Sequence, residues 1–401
     1  MDAPLLIVGG GIGGLAAALA ASRAGYPVQL FEQAPEFSEV GAGIQLGPNV
    51  TRVLRAWGLH EGLAGAGAAF PERLQARSAQ SGQVLASLPL GASIAQRYGA
   101  PYATMHRADL HTLLLQAVHA SGLADLRLRH ELQSFEDAGA QVQLRFANQS
   151  DCSGVGLVGA DGLWSRVRAG LLQDGPPQLT GHMAFRALIR QDRLPAALRS
   201  QQVTVWLGPE LHVVQYPVRQ GDWLNLVAIV HGQRDEVNPA NWDHLAHATE
   251  LRQRLAGSCS ALMDLVAAVD HWRLWVLCDR APMRSAAEHA RGRVALLGDA
   301  AHPVRPYLAQ GAGMAIEDAA ALGTCLAQAG GDIAAAWQRY AQQRWQRNAR
   351  VQTRSVRNGA IFHASGPMRW ARDAALRLLG ARLMDQPWLY GAQVEGFKHQ
   401  P

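Results

Sequence analysis

Residues able to do chemistry fall in four places along this sequence. The first is the turn Gly9-Gly10-Gly11-Ile12-Gly13-Gly14, which matches G-x-G-x-x-G through Gly9, Gly11 and Gly14. In such a turn the first glycine permits the tight bend and the second lets a pyrophosphate approach the backbone. The third lets the following helix pack closely on its strand. Ile12 and Gly13 lie in the first helical turn, whose N-terminus faces the phosphate charge. Glu32, followed by Gln33, ends the next apolar run, at the distance where a carboxylate meets a ribose hydroxyl. These residues point to a dinucleotide without separating a nicotinamide from a flavin nucleotide.

The second place makes that separation. Leu296-Leu297-Gly298-Asp299-Ala300-Ala301-His302 follows an apolar run late in the chain, and Gln310-Gly311-Ala312-Gly313-Met314 leads into a helix. Asp299 is placed to meet the ribityl or second ribose of an extended cofactor. The N–H groups at Gly311, Ala312, Gly313 and Met314 can stabilise charge on a reduced flavin ring. A nicotinamide dehydrogenase has no use for this distant half-site, so FAD is expected. The third place is Gly159-Ala160-Asp161-Gly162, followed by Ser165 and Arg166, which alone reads as a turn and helix cap. The fourth is the alternating segment His212-Val213-Val214-Gln215-Tyr216-Pro217, in which His212, Val214 and Tyr216 share one face. An imidazole there suits proton transfer near neutrality.

The elements that position these residues can be read from periodicity. Leu5–Val8, the Ala-rich stretch Leu15–Ala24 and Pro27–Phe31 form a βαβ unit. Leu126–Arg129, Gln141–Phe146 and Val155–Val158 alternate like strands of a small sheet. Between residues 178 and 276, short alternating runs such as Val203–Trp206, Leu211–Val218 and Trp223–Val230 suggest an antiparallel sheet. Helices are expected from Gly311 past Ala320 and over Ala334–Arg357. The tail from Met368 to Trp388 is amphipathic and reads as packing on the body or on a second copy. The expected fold is α/β: a Rossmann-type FAD-binding domain with an inserted antiparallel substrate domain and C-terminal helices. The FAD-binding part spans 1–75, 100–177 and 280–360, the substrate part 76–99 and 178–279, and the tail 361–401.

Composition bounds the partners. The chain has 401 residues, 48% hydrophobic and 17% charged, with net charge +5 and no long block of one sign. This excludes a nucleic-acid arm and favours small anionic ligands. The four cysteines, Cys152, Cys259, Cys278 and Cys325, form no CxxC pair. They read as buried small hydrophobes in a reducing cytoplasm, with no disulfide framework and no metal site expected. Ala3 to Ser22 carries no charge, but its glycines and lack of a basic leader favour strand, turn and helix over a membrane span.

In order and spacing, Gly9–Gly14, Asp161-Gly162 and Gly298-Asp299 resemble the single-component flavin-dependent aromatic hydroxylases, the para-hydroxybenzoate hydroxylase superfamily. The likeness runs from Leu5 to about Arg350. Leu30-Phe31-Glu32-Gln33-Ala34, Gly41–Asn49, Tyr98–Tyr102 and His106–Leu110 are similar to 3-hydroxybenzoate 6-hydroxylases, salicylate hydroxylases and 6-hydroxynicotinate 3-monooxygenases. The resemblance implies that Arg107 contacts the FAD pyrophosphate region and that Asp161 lies near the pyrophosphate and the nicotinamide approach route. It implies that Asp299 holds ribityl or ribose hydroxyls. His212 and Tyr216 would line the substrate pocket with Gln45 and Tyr102, and Pro306 would stand beside the flavin. Tyr216 also reads as simple core packing.

The implied activity uses NADH or NADPH and O₂ to hydroxylate a hydroxylated aromatic or N-heteroaromatic carboxylic acid through a flavin C4a-hydroperoxide. His212 would deprotonate the phenol, its bland alternative being a half-buried strand histidine bonded to a carbonyl; His302 reads as ordering its loop, with a second base as the alternative. Arg186 or Arg305 would meet a carboxylate, Arg305 reading equally as an exposed loop residue. One departure is specific: 3-hydroxybenzoate 6-hydroxylases carry a Gln, thought to assist para-hydroxylation, where this chain has Pro306, which counts against that activity. The alternatives are a same-fold flavoprotein acting on a larger polycyclic substrate, and a non-catalytic protein that reuses the fold. A homodimer is the family-level expectation.

Overall fold

The computed structural model describes residues 3–37, 42–232, 244–246 and 248–397. Leu5–Val8 is flanked by parallel strands, Gly156–Gly159 on one edge and Val28–Phe31 on the other, and is buried on both faces, Leu5 and Ile7 in one apolar cluster and Leu6 and Val8 in another. A strand covered on both faces must be apolar throughout rather than alternating. The sheet continues to Ala124–Arg127 beyond Val28–Phe31. On the other side it continues to Val294–Leu296 and then the short antiparallel Ala290–Arg291.

The helix Ile12–Arg23 follows the glycine turn and packs its small residues against the helix Gly311–Ala327. The approach is close: a Cβ on Gly323 would lie 2.9 Å from the Ala20 Cβ. The two motifs separated by some three hundred residues are therefore neighbours in space.

The expected small sheet exists with different members. Leu132–Asp137, Val142–Phe146 and Asp151–Gly154 form it, whereas the runs around Leu126 and Val158 belong to the large parallel sheet. Alternation in a four-residue window does not identify a strand's partner, and Gly156–Gly159 is buried on both faces. The cysteine expectation also needs correction: only Cys325 is buried, and Cys152, Cys259 and Cys278 are half-buried.

Eight strands build the second large sheet, in the order His244–Ala246, Trp272–Asp279, Gln178–Arg190, Trp223–His231, Leu211–Val218, Val203–Gly208, Arg73–Ser78, Val84–Pro89. Its outer face is apolar. Met183, Phe185, Val213, Leu226, Ala228 and Leu274 pack there with Leu251, Leu262 and Leu265 from two short helices. The alternation then places His182, Arg186, His212, Tyr216, Asn225 and His231 on the opposite face. That face meets the end of the 30-residue helix Ile333–Phe362 and the loop at Tyr307. Among the described residues no helix is long and apolar enough to cross a membrane.

The glycine turn gives the first test. A Cβ on Gly14 would lie 1.8 Å from the Gly9 carbonyl oxygen, so the strand and helix cannot keep this approach with any side chain there. Gly14→Ala is expected to cost about 3 kcal/mol through overpacking, seen as a lower Tm. A Tm equal to the parent's would contradict the packing described.

Candidate functional site

The site begins at two helix N-termini. Gly11 precedes Ile12–Arg23 and Gln310 precedes Gly311–Ala327, and neither helix has a side-chain cap. Their leading N–H groups therefore suit an anion or a polarisable ring. A Cβ on Gly9 would stand 2.3 Å from the Ala160 oxygen, and one on Gly13 would stand 2.9 Å from Leu297. The glycine turn, the Asp161 turn and the Leu297-Gly298 turn thus adjoin. Nothing lies within 4 Å of where a Gly311 Cβ would be, so that end of the cradle is open.

The acids of the motifs have distinct surroundings. Glu32 accepts hydrogen bonds from the N–H of Gly10 at 2.6 Å and of Ala34 at 2.8 Å, which fixes the turn while leaving acceptor capacity on both oxygens. Gln33 beside it is exposed. Asp161 accepts from Ser165 Oγ at 2.5 Å and from the N–H groups of Arg166 and Val167 at 2.8 and 3.1 Å. It anchors the helix Arg166–Leu172, and burial moves its carboxyl upward despite those bonds. Asp299 is exposed in the short turn Gly298–Ala300. Arg107 opens its helix half-buried, its N–H donating to Ala42 O at 2.8 Å.

The substrate-side residues gather between the large sheet and the helix Gly311–Ala327. Tyr102, Tyr216 and Met314 share one hydrophobic cluster with Tyr390 of the tail. Tyr102 donates to Gln45 Oε1 at 2.7 Å, and Asn225 accepts from the Gly43 N–H at 2.7 Å. Tyr216 abuts Gly43 so closely that a Cβ there would lie 2.5 Å from its ring. Burial raises the hydroxyl pKa of both tyrosines, so they stay protonated as donors. Pro306 begins the turn Pro306–Leu308, whose Tyr307 packs on the sheet at Ala184, Ile229 and Leu277.

His212 is 1% exposed, with Nδ1 2.7 Å from Nε2 of His363. Burial, and then the nearby His182, push it down to about 3. Around it lie residues the sequence reading missed. His182 Nδ1 and the Tyr307 hydroxyl are 2.6 Å apart, and the His231 ring lies 4.4 Å from that of His182 between centroids, tilted by 41°. No motif signals this group, because its members come from three strands, the Pro306–Leu308 turn and the far end of a long helix.

His302 is a loop residue in the sense expected. Its Nε2 bonds Asp318, which also accepts from Arg344 Nε at 2.7 Å and Asn348 at 3.1 Å. Burial alone would raise the Asp318 carboxyl, but His302 and Arg344 outweigh it and hold it well below the usual range. Glu317 beside it is paired by Arg344 and Arg347 and bonded by Asn49 at 2.6 Å. Arg305 is engaged with Asp279 at 2.5 Å, which removes it as the simple choice for a substrate carboxylate. Arg186 is buried with its guanidinium 4.6 Å from the Trp275 ring centre.

Residues 2–355 match the family model described as FAD binding domain. The chain belongs to that family. It is 36% identical to a 3-hydroxybenzoate 6-hydroxylase of Polaromonas naphthalenivorans, over 98% of this chain and 97% of that one. It is 37% identical to a 6-hydroxynicotinate 3-monooxygenase of Bordetella bronchiseptica, over 87% and 89%. Among solved structures it is similar to HpxO of Klebsiella pneumoniae complexed with FAD and uric acid, with TM-score 0.83, 26% identity, and 95% and 94% covered. The parallel sheet, the two uncapped helices and the open glycine cradle fit FAD.

Buried neutral histidines give this site a pH signature. His212 and His289 are each depressed to about 3, mainly by burial, from an unfolded value near 6.5. A depressed folded-state value means the contribution is complete above about 6.5 and is lost as pH falls toward 3. Each of these two groups then removes up to about 1.4 kcal/mol per pH unit within that window. Unfolding measured between pH 7.5 and 4.5 should show stability falling below about pH 6.5, less steeply in His289→Gln. A flat profile would contradict the neutral buried state.

Proposed function

We propose that this chain is an FAD-dependent monooxygenase that uses NADH or NADPH and O₂ to hydroxylate a phenolic or hydroxypyridine carboxylic acid. The observation that carries it is His212, buried on the inner sheet face beside the Pro306-Tyr307 turn, with Tyr216 on the same face against Gly43. Gly9, Gly11, Ile12, Gly13 and Gly14 would receive the pyrophosphate, with Arg107 and Asp161 at its margin. Glu32, with Gln33 alongside, would take the adenosine ribose and Asp299 the ribityl chain. Gly311, Ala312, Gly313 and Met314 would face the ring system. FAD, when bound, supplies hydride acceptance, O₂ activation and oxygen transfer.

The chain's own residues then have three tasks. His212 takes the phenolic proton, making the ring electron-rich at the carbon to be oxidised. An imidazole depressed to about 3 is a weak base, and a substrate carboxylate is the anion that raises it toward neutrality. This coupling favours carboxylated phenols over neutral ones. Arg186, on the same sheet face, is the residue we assign to that carboxylate. Tyr216, Tyr102 and Gln45 orient the ring, and the apolar wall of Val214, Val304 and Met314 keeps water away. The lobe assignment is also proposed: residues 1–75, 100–177 and 280–360 hold FAD, and 76–99 with 178–279 hold substrate. The eight-stranded sheet, with strands from Arg73–Ser78 onward, supports it.

The test is NAD(P)H oxidation with identification of products, run across hydroxybenzoates, hydroxynicotinates and urate. Carboxylated phenols or hydroxypyridines should stimulate oxidation and yield a hydroxylated product. His212→Ala should keep FAD but slow hydroxylation by about 100-fold or more, releasing hydrogen peroxide instead. Stimulation by urate alone, or unchanged coupling in His212→Ala, would sink the reading.

A further inference from the structure

Three imidazoles meet at one end of the large sheet without a task in the scheme above. His182 belongs to the strand Gln178–Arg190, His231 is its cross-strand partner, and His363 caps the helix Ile333–Phe362. Their ring centroids form a near-regular triangle, with sides of 4.4, 5.1 and 5.1 Å. One nitrogen of each ring lies within 4.8 Å of one from each of the others. A neutral imidazole presents its lone pair on one ring nitrogen, the form in which it binds a metal.

We propose that His182, His231 and His363 form a binding site for a divalent transition-metal ion of the zinc, cobalt or copper class. Three nitrogens and no carboxylate suit such ions and not magnesium or calcium, which need oxygen. Bonds of about 2.0–2.1 Å require the nitrogens to close to about 3.4 Å apart in a tetrahedral site. His231, exposed at its strand end, has the freedom to make that movement. The fourth position is left to water or an anion.

Supporting contacts are already made. His182 Nδ1 is occupied by the Tyr307 hydroxyl at 2.6 Å, leaving Nε2 for the ion. His363 Nε2 is occupied by His212 at 2.7 Å, leaving Nδ1, which is buried without a hydrogen-bond partner. Second partners of this kind fix a ligand's tautomer and orientation. The nearby cations Arg305 and Arg372 are each offset by a carboxylate, Asp279 at 2.5 Å and Asp373 at 2.8 Å.

The test uses tag-free, FAD-loaded protein stripped of metal and titrated with Co²⁺ by equilibrium dialysis, with the cobalt absorption read at wavelengths above the flavin bands. One Co²⁺ per chain in tetrahedral geometry, displaced by Zn²⁺, is expected. His231→Ala should weaken binding by about tenfold or more while keeping FAD and metal-free hydroxylation, and Tyr307→Phe should weaken it by about tenfold. No saturable binding, or equal binding in His231→Ala, would overturn the proposal. Stoichiometric binding in a protein that hydroxylates no aromatic acid would uphold the site and defeat the proposed function instead.

Discussion

The buried carboxylate of Asp318 is the point on which this architecture turns. It lies on the helix Gly311–Ala327, with no exposed side-chain surface, and bonds His302, Arg344 and Asn348 together. Removing a charge from water costs several kcal/mol unless its partners are well placed, and here they come from the loop after Gly298 and from the helix Ile333–Phe362. One interaction therefore ties together the helix Gly311–Ala327, the loop carrying Pro306, and the helix that ends at His363. Glu317 repeats the device one residue earlier through Arg344, Arg347 and Asn49. Loss of Arg344, which serves both carboxylates, would leave each buried charge with fewer partners.

From that frame the chemistry follows by packing. The long helix delivers His363 to the inner face of the eight-stranded sheet, where it meets His212. Gly359 of the same helix lets Tyr307 lie flat against it, since a Cβ there would come within 2.7 Å of the ring. Tyr307 in turn reaches His182. The proposed base is thus bonded to another imidazole, with the rings of His182 and Tyr307 packed close by, rather than to a carboxylate. In the proposed function its protonation depends on what charge a ligand brings, which would link substrate class to activity.

Much of this was legible in the sequence because the relevant constraints are local. Gly14 is required by its contact with Gly9 inside one strand–turn–helix unit, so the spacing of the two records it directly. His212, Val214 and Tyr216 share a face because strand periodicity demands it. The face they occupy together with His182 and His231 depends on strand register, and His363 arrives from beyond residue 360; neither leaves a motif. Asp161 has a visible motif, but its carboxylate anchors a helix, a use that Ser165 and Arg166 hinted at. The strands near Leu126 and Val158 were assigned to the wrong sheet because partner choice is a long-range property.

The central claim is that the neutral, buried His212 takes the proton of a bound phenol. The direct measurement is the ultraviolet difference spectrum of 3-hydroxybenzoate bound to the FAD-loaded protein in the absence of NAD(P)H, recorded across pH. The bound ligand should ionise at a lower pH than it does in water, and this shift should vanish in His212→Gln while binding persists. A bound phenol that titrates identically in the parent and in His212→Gln would contradict the account.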